Sequence, residues 1–396
     1  MENKLSYRDI NQILKSNKMG LSMTETINGF TTVFHQMHIN AGAKMVPFAG
    51  YDMPVSYPLG VKKEHLHTRE KAGLFDVSHM GQVKLIGENA KTALESLVPV
   101  DIIDLPLMKQ RYALFTNDNG GVLDDLMVTN IGNDNLLLVV NAGCKKADFA
   151  HLQNSIGNEC EVKVLGNHAL LALQGPRAGE VLAALAPESR EMTFMTAKVL
   201  IIDGIECLAT RSGYSGEDGF EISVHNDQAQ RLAKCLLAHE VVEWVGLGAR
   251  DSLRLEAGLS LYGHELDTEH TPVESSLVWA LSKVRRSNGS RAGGYPGAIT
   301  VMNHIDEGVA QKIVGLQPEG RAPVRDGVVI VDDEDNIVGK VTSGGFGPTT
   351  GKPIAIARIE SAMSDGTKKL FAIVREKKLA VEVVKLPFVK PNYYRG

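Results

Sequence analysis

Two glycine-rich turns in this 396-residue chain each deliver a carboxylate to the start of a strand. The first, Asn119-Gly120-Gly121-Val122-Leu123-Asp124-Asp125, sets Asp125 before Leu126-Met127-Val128. The second, Gly213-Tyr214-Ser215-Gly216-Glu217-Asp218-Gly219-Phe220-Glu221, sets Glu221 before Ile222-Ser223-Val224. A carboxylate at such a point can carry a proton or accept a pair of N–H donors. If the two turns are related by a pseudo-twofold, both acids face one central cleft. Taken alone, Asp125 also fits a strand-start acid bonded to nearby amides, and Glu221 a residue on an edge strand. Asp124 reads as a turn residue.

Other chemistries find less support. Ser343 to Lys352 resembles a phosphate loop only in part, since position 346 is Phe and Pro353 stands where Ser or Thr is needed. A hairpin is the expectation there. Gly246-Leu247-Gly248-Ala249-Arg250 lacks the third glycine of a dinucleotide fingerprint. His65, His67 and His79 have no carboxylate at metal-ligand spacing and read as structural. No G-x-S-x-G elbow or Cys-His signature supports a covalent hydrolase. The four cysteines, Cys144, Cys160, Cys207 and Cys235, form no C-x-x-C pair and are expected to be buried thiols in a reducing compartment.

The elements that hold the two turns form a repeat. Gln82 to Ile86 alternates like a half-buried strand, and Gly87 opens a helix with Ala90, Ala93, Leu94 and Leu97 on one face. His168 to Leu173 is a second strand, followed by a helix starting at Gly175-Pro176 and carrying Ala178, Leu182 and Leu185. Laying Leu85 on Leu173 also superposes Gly87 on Gly175, Ala90 on Ala178, Leu94 on Leu182, Leu97 on Leu185 and Pro99 on Pro187. A further helix is expected over Asp227 to Glu240, and a flexible loop over Arg285 to Gly294. From about Lys312, short strands separated by Asp-, Gly- and Pro-rich turns predict a small antiparallel barrel or sandwich.

Composition sets the outer bounds. The chain is 43% hydrophobic and 22% charged, which is globular, and its length corresponds to two or three domains at about 150 residues each. A net charge of −5 lacks the basic footprint of a nucleic-acid binder. No apolar run reaches the length of a membrane span. Residues 1–23 lack a signal-peptide core and read as an exposed tail, with Met19 and Met23 as alternative starts.

Several long segments then identify a resemblance. They are Phe48 to Pro54, Gly73 to Met80, Gly120 to Leu126, Leu173-Gln174-Gly175-Pro176, Gly213 to Glu221, Gly246 to Glu256, Thr342-Ser343-Gly344, and Pro387-Phe388-Val389 near Asn392-Tyr393-Tyr394. In this order, from about residue 31 to the C-terminus, they resemble the aminomethyltransferase, or T-protein, family of the glycine cleavage system. The resemblance implies an α+β, three-domain cloverleaf. It has two interleaved mixed α/β domains on antiparallel sheets over 31–290, a C-terminal all-β barrel over 312–396, and a tail over 1–30. It also implies a tetrahydrofolate co-substrate, no metal, and a lipoylated H-protein as partner, with neither nucleic acid nor membrane involved.

Residue by residue, Asp125 matches the family's catalytic Asp, which sits by a folate nitrogen and raises its nucleophilicity. Glu221 matches a pterin-binding Glu, and Arg250 and Tyr393 match folate contacts. Tyr112, Tyr214 and Met80 match channel positions; core packing is the plain alternative for each. Two other members of the superfamily stay open as alternatives. One is a folate-dependent demethylase. The other is a non-enzymatic folate-binding factor for iron–sulfur maintenance, although its K-G-C-Y-x-G-Q-E type motif is replaced here by Arg211 to Asp218 without Cys. The expected location is a bacterial cytoplasm rather than a mitochondrial matrix.

Overall fold

The computed structural model describes residues 29–396. The expected tail therefore lies outside the described residues, except that Phe30 is already tied in. Its N–H donates to the Gly50 carbonyl, and it pairs with Tyr51.

Two sheets and a barrel organise the chain. The first sheet has five strands in the order Gln110–Thr116, Val122–Gly132, Asn135–Val140, Gly81–Ile86 and Glu161–Val164. The second has six, in the order Ala197–Ile202, Ile205–Thr210, Gly219–His225, His168–Gln174, Ala72–Asp76 and Val242–Trp244. All these pairings are antiparallel except the last, where Val242–Trp244 runs parallel to Ala72–Asp76.

The duplication is present in three dimensions. In each unit a strand leads into a short helix and then a three-stranded meander whose third strand pairs back onto the first. A second helix follows, and then a last strand on the far side. The helices are Ala90–Glu95 and Lys145–Ile156 in one unit, Ala178–Leu185 and Asn226–Leu237 in the other. Gly87 and Gly175 sit at the same bend with φ of 127° and 136°, a region closed to side chains. The second helix pair starts slightly later than Gly175-Pro176 suggests, at Ala178, whose N–H is turned back onto the Gly175 carbonyl. The interleaving comes from Ala72–Asp76, which inserts into the second sheet before the chain enters the first.

Alternation explains the layers. Phe220, Ile222 and Val224 point away from the centre into a core with the two helices of their unit. Leu126 and Val128 do the same in the first unit. The opposite faces look toward each other across a thinner apolar seam that includes Phe75, Val139, Leu170 and Ala172. The Ser223 hydroxyl donates to Gln82 Oε1 at 2.6 Å and ties the sheets together there. The helix Leu247–Glu256 seats Ala249 and Leu253 on this seam.

The C-terminal module is a closed six-stranded barrel, with strands Gln311–Pro318, Lys352–Glu360, Ile337–Gly347, Val329–Val331, Leu370–Val374 and Lys377–Val384 in that order. Gly347 pairs with Lys352 across the expected hairpin. The stretch between the expected domains is not a spacer. Ala298 and Val301 of the helix Ala298–Glu307 pack with Leu114 and Val122 of the first unit.

The segment Arg285 to Gly294 departs from the flexible loop that its composition predicts. Arg285 is buried and donates to Glu95 Oε1 at 3.1 Å, and Arg291 Nε reaches the same oxygen at 2.7 Å. Arg291 also holds Asp101 and Asp104. A distant buried carboxylate overrides the local Gly-Ser composition. The cysteines also differ in part: all four are free, but only Cys160 and Cys207 are buried.

Glu256, with no exposed surface, joins the units to the barrel. It accepts from His65 at 3.0 Å, Arg69 at 3.1 Å and the Thr349 amide at 2.8 Å. Although burial opposes its charge, the His65 contact and the Thr349 bonds hold the carboxyl down at about 2. Glu256→Gln is expected to cost about 3 kcal/mol or more of stability at neutral pH. The sign follows from the depressed value: this stabilisation is complete above about pH 4.3, the ordinary Glu range, and fades as pH falls toward about 2. Urea denaturation of both proteins at pH 7 and pH 3 checks this; a gap that does not shrink at pH 3 contradicts it.

Candidate active site

The inner faces of the two sheets supply the site. In the first sheet Tyr112, Met127, Val139 and Gln82 line up in cross-strand register, with Asp125 one row further along its strand. In the second, Thr210, Glu221, Ala172 and Phe75 form the facing row. Both acids thus look toward the centre, but they are not equivalent in the repeat. Asp125 lies on the middle strand of its meander and Glu221 on the third strand of the other. The pseudo-twofold relation between them does not hold, because the two glycine-rich turns join different strand pairs.

Asp125 is held from three sides. The Asn141 Nδ2 donates to its Oδ1 at 2.8 Å. The Tyr112 hydroxyl is a second partner, and Asp124 stands behind it as a like charge. Burial, reinforced by the Asp124 charge, pushes Asp125 up to about 7, against the pull of Tyr112 and Asn141. Tyr112 moves far above its ordinary value, first through burial and then through Asp125. A carboxyl poised near neutrality can take up and release a proton under working conditions.

Asp124 is not a turn residue. It is fully buried, points to the opposite side of the strand, and accepts from both the N–H and the Nδ2 of Asn141, at 3.0 and 2.9 Å. Behind it lies Asp148, which burial and the Asp124 charge raise to about 9.

Across the centre, Glu221 and Arg250 face each other as opposite charges. Burial raises Glu221, and Arg250 offsets part of that rise, as does the Ser212 hydroxyl, which donates to Oε2 at 3.3 Å. Arg250 projects from the helix Leu247–Glu256 and lies over the Tyr214 ring at 4.9 Å. Its guanidinium makes no hydrogen bond among the described residues. Tyr214 is the bridge between the halves: its hydroxyl donates to the Ser260 carbonyl, and it senses both Asp125 and Arg250. Two acceptors and an unused fork of donors therefore converge on one space, a set suited to a planar ligand with both donor and acceptor edges.

The remaining predicted residues lie at the margins. Met80 packs with Met127 beside the seam. Tyr393 is separate from the cluster: its ring stacks on Phe194 at 4.1 Å, next to the Arg69–Glu217 pair. Asn392 anchors it by pairing with Glu217 at the far side of the same glycine-rich loop. His65 bonds Ser252 and Glu256, and His67 bonds two backbone carbonyls. Sequence reasoning missed Asn141 and Asp148. Their only signal is a polar residue closing the apolar run Leu136 to Val140 and an acid in the next helix. It also missed Trp279, which is 66% exposed and stacks on Tyr112 at the edge of a cavity of about 480 Å³.

Comparisons with known proteins bear on this site. The GCVT N-terminal domain matches residues 34–285, and the glycine cleavage T-protein C-terminal barrel domain matches residues 311–390. The mitochondrial aminomethyltransferase of Dictyostelium discoideum is 42% identical, over 98% of this chain and 99% of its own. The human mitochondrial aminomethyltransferase is 44% identical over 92% of this chain and 91% of its own. The crystal structure of the glycine cleavage system aminomethyltransferase T from Bartonella henselae superposes with a TM-score of 0.87 at 43% identity, covering 92% of this chain and 99% of that one.

The raised acids make stability depend on pH. Folded Asp148 keeps until about pH 9 a proton that the unfolded chain releases near the ordinary carboxylate value of about 4. Its contribution therefore declines as pH rises through that window and is flat above it. Asp148→Asn should remove this slope, so the variant gains on the native chain between pH 5 and pH 9 in chemical denaturation. Parallel stability curves would refute it.

Proposed function

The chain belongs to the glycine cleavage T-protein family and is an aminomethyltransferase, and from that premise we propose that Asp125 is its proton-handling residue and that Glu221 and Arg250 hold tetrahydrofolate. The full-length identity to aminomethyltransferases separates the chain from the demethylase and the iron–sulfur maintenance factor, the alternatives that its motifs left open.

The reaction moves the one-carbon unit of an aminomethylated lipoyl arm, carried by H-protein, to tetrahydrofolate, giving ammonia and 5,10-methylenetetrahydrofolate. Loss of the arm's thiolate exposes an iminium-like carbon to a folate nitrogen. The protein then has to orient that nitrogen and manage its proton. Asp125 suits the second task, and its position near 7 is the observation that carries the proposal. A carboxyl at its ordinary value would be a poor acceptor for a proton leaving a weakly basic nitrogen.

Orientation falls to the opposite wall. Glu221 has one weak partner in Ser212, leaving its carboxylate able to take two parallel N–H donors, the edge that a pterin presents. Arg250 offers donors without an acceptor of its own, and Tyr112 and Tyr214 supply flanking rings. Tyr393 borders the outer end of this site, beyond the loop that carries Tyr214. No helix among the described residues is long and apolar enough to cross a membrane.

Ammonia release from aminomethylated H-protein, with and without tetrahydrofolate, tests the activity directly. Asp125→Asn keeps the shape and removes the proton acceptor, so kcat should fall by roughly 10²–10⁴-fold while folate affinity changes little. Near-native turnover would exclude Asp125. Glu221→Gln turns one acceptor into a donor facing a pterin N–H, a loss of about 1.5–3 kcal/mol in binding. Calorimetric titration showing unchanged tetrahydrofolate affinity would place the pterin elsewhere.

A further inference from the structure

Three carboxyl groups, Asp124, Asp125 and Asp148, meet in one buried knot that no Lys or Arg enters among the described residues. The nearest cation, Lys145 Nζ, is occupied by the Tyr51 hydroxyl at 2.8 Å and the His79 carbonyl at 2.7 Å. Three like charges in so dry a place are untenable, so at least one proton must be retained.

The hydrogen bonds show which oxygen retains it. Asp124 takes two donors from Asn141, one on each oxygen. Asp125 takes the Asn141 amide on Oδ1. Asp148 Oδ2 is enclosed and has no N–H or hydroxyl donor at all, while the carboxyl lies within hydrogen-bonding reach of Asp124. An ionised oxygen left so bare is costly; a carboxyl that holds a proton and donates it to Asp124 is not. Asn141 Nδ2 then spends its two hydrogens on Asp124 and Asp125.

We propose that Asp124 and Asp148 form a proton-sharing pair, bridged to Asp125 by the Asn141 amide, and that this pair fixes the protonation state in which Asp125 acts. The inference rests on the assignment of Asp125 above. Asp124, Asn141 and Asp148 are positioning residues, touching the reaction only through Asp125. The groups facing Asp125 are Asp124 on its own strand, Tyr112 from the neighbouring strand and Tyr214 from the glycine-rich loop. Cys144 and Asp148 face it from the start of the helix Lys145–Ile156. Tyr262 faces Asp124 and Asp148 from the far side. Of these, only Asp124 places an anion directly against Asp125 at neutral pH.

The pH dependence of kcat for ammonia release separates the roles. Asp124→Asn removes the neighbouring anion, so the acid limb should move down by about one to two pH units. Asp148→Asn retains a donor toward Asp124 and changes no charge, so its limb should stay in place. Asp148→Ala leaves Asp124 without that donor; Asp124 then takes the proton, and the limb should drop as in Asp124→Asn. In the infrared at pH 8, a protonated-carboxyl band of the native enzyme should be missing from Asp148→Asn. An unmoved limb in Asp124→Asn, or an equal shift in Asp148→Asn, overturns the proposal, as does a retained band. The Asp125→Asn enzyme serves as reference. If it is fully active, the assignment of Asp125 itself has failed; if it is inactive while Asp124→Asn titrates like the native enzyme, only the paired-acid device has failed.

Discussion

The carboxylate of Glu256 is the constraint on which the rest of the molecule depends. It closes the helix Leu247–Glu256, whose other end presents Arg250 to the centre, and it is wholly enclosed. Its partners come from everywhere else: His65 and Arg69 from the helix Val61–Glu70, and backbone amides from the barrel hairpin. Arg69 extends the contact to Glu217 and to the Ser215 carbonyl in the glycine-rich loop. One anion thereby fixes the angle of the Arg250 helix, the seating of the barrel and the loop that carries Tyr214. Such a group cannot be left unpaired, which makes the three units a single mechanical body at this point.

The centre itself divides its charges unequally. On one wall, Glu221 and Arg250 compensate each other through a short span of polar space. On the other, three acids share no cation, and their only relief is protons and the Asn141 amide. The same residue type is thus a ready anion on one side and a reluctant one on the other. Environment makes the difference, as it must where one group is to bind and the other to exchange protons.

Much of this architecture was legible in the sequence because it is written locally. The strand–Gly–helix repeat could be read because Gly87 and Gly175 answer the same backbone demand and the apolar positions after them share one period. The barrel was legible from strand spacing, and Asp125 and Glu221 from the turns before them. What failed to show was whatever depends on distant partners. Asp124 looked like a turn residue because nothing local says that Asn141 and Asp148 lie behind it. Arg285 to Gly294 looked loose because Glu95, its anchor, is far away in sequence. The supposed symmetry of Asp125 and Glu221 was an error of the same origin, since strand order decides which strands correspond.

The insertion of Ala72–Asp76 between His168–Gln174 and Val242–Trp244 has a consequence for how the chain is born. This strand, buried at every position in the finished protein, leaves the ribosome before the entire first sheet, yet both its neighbours arrive only afterwards. The first sheet has its own core and can close as it emerges. Ala72–Asp76 must meanwhile wait with both edges unpaired, the condition that invites wrong partners. Synthesis therefore passes through a stage in which half the molecule is complete and a strand of the other half is exposed to holdase chaperones and to aggregation.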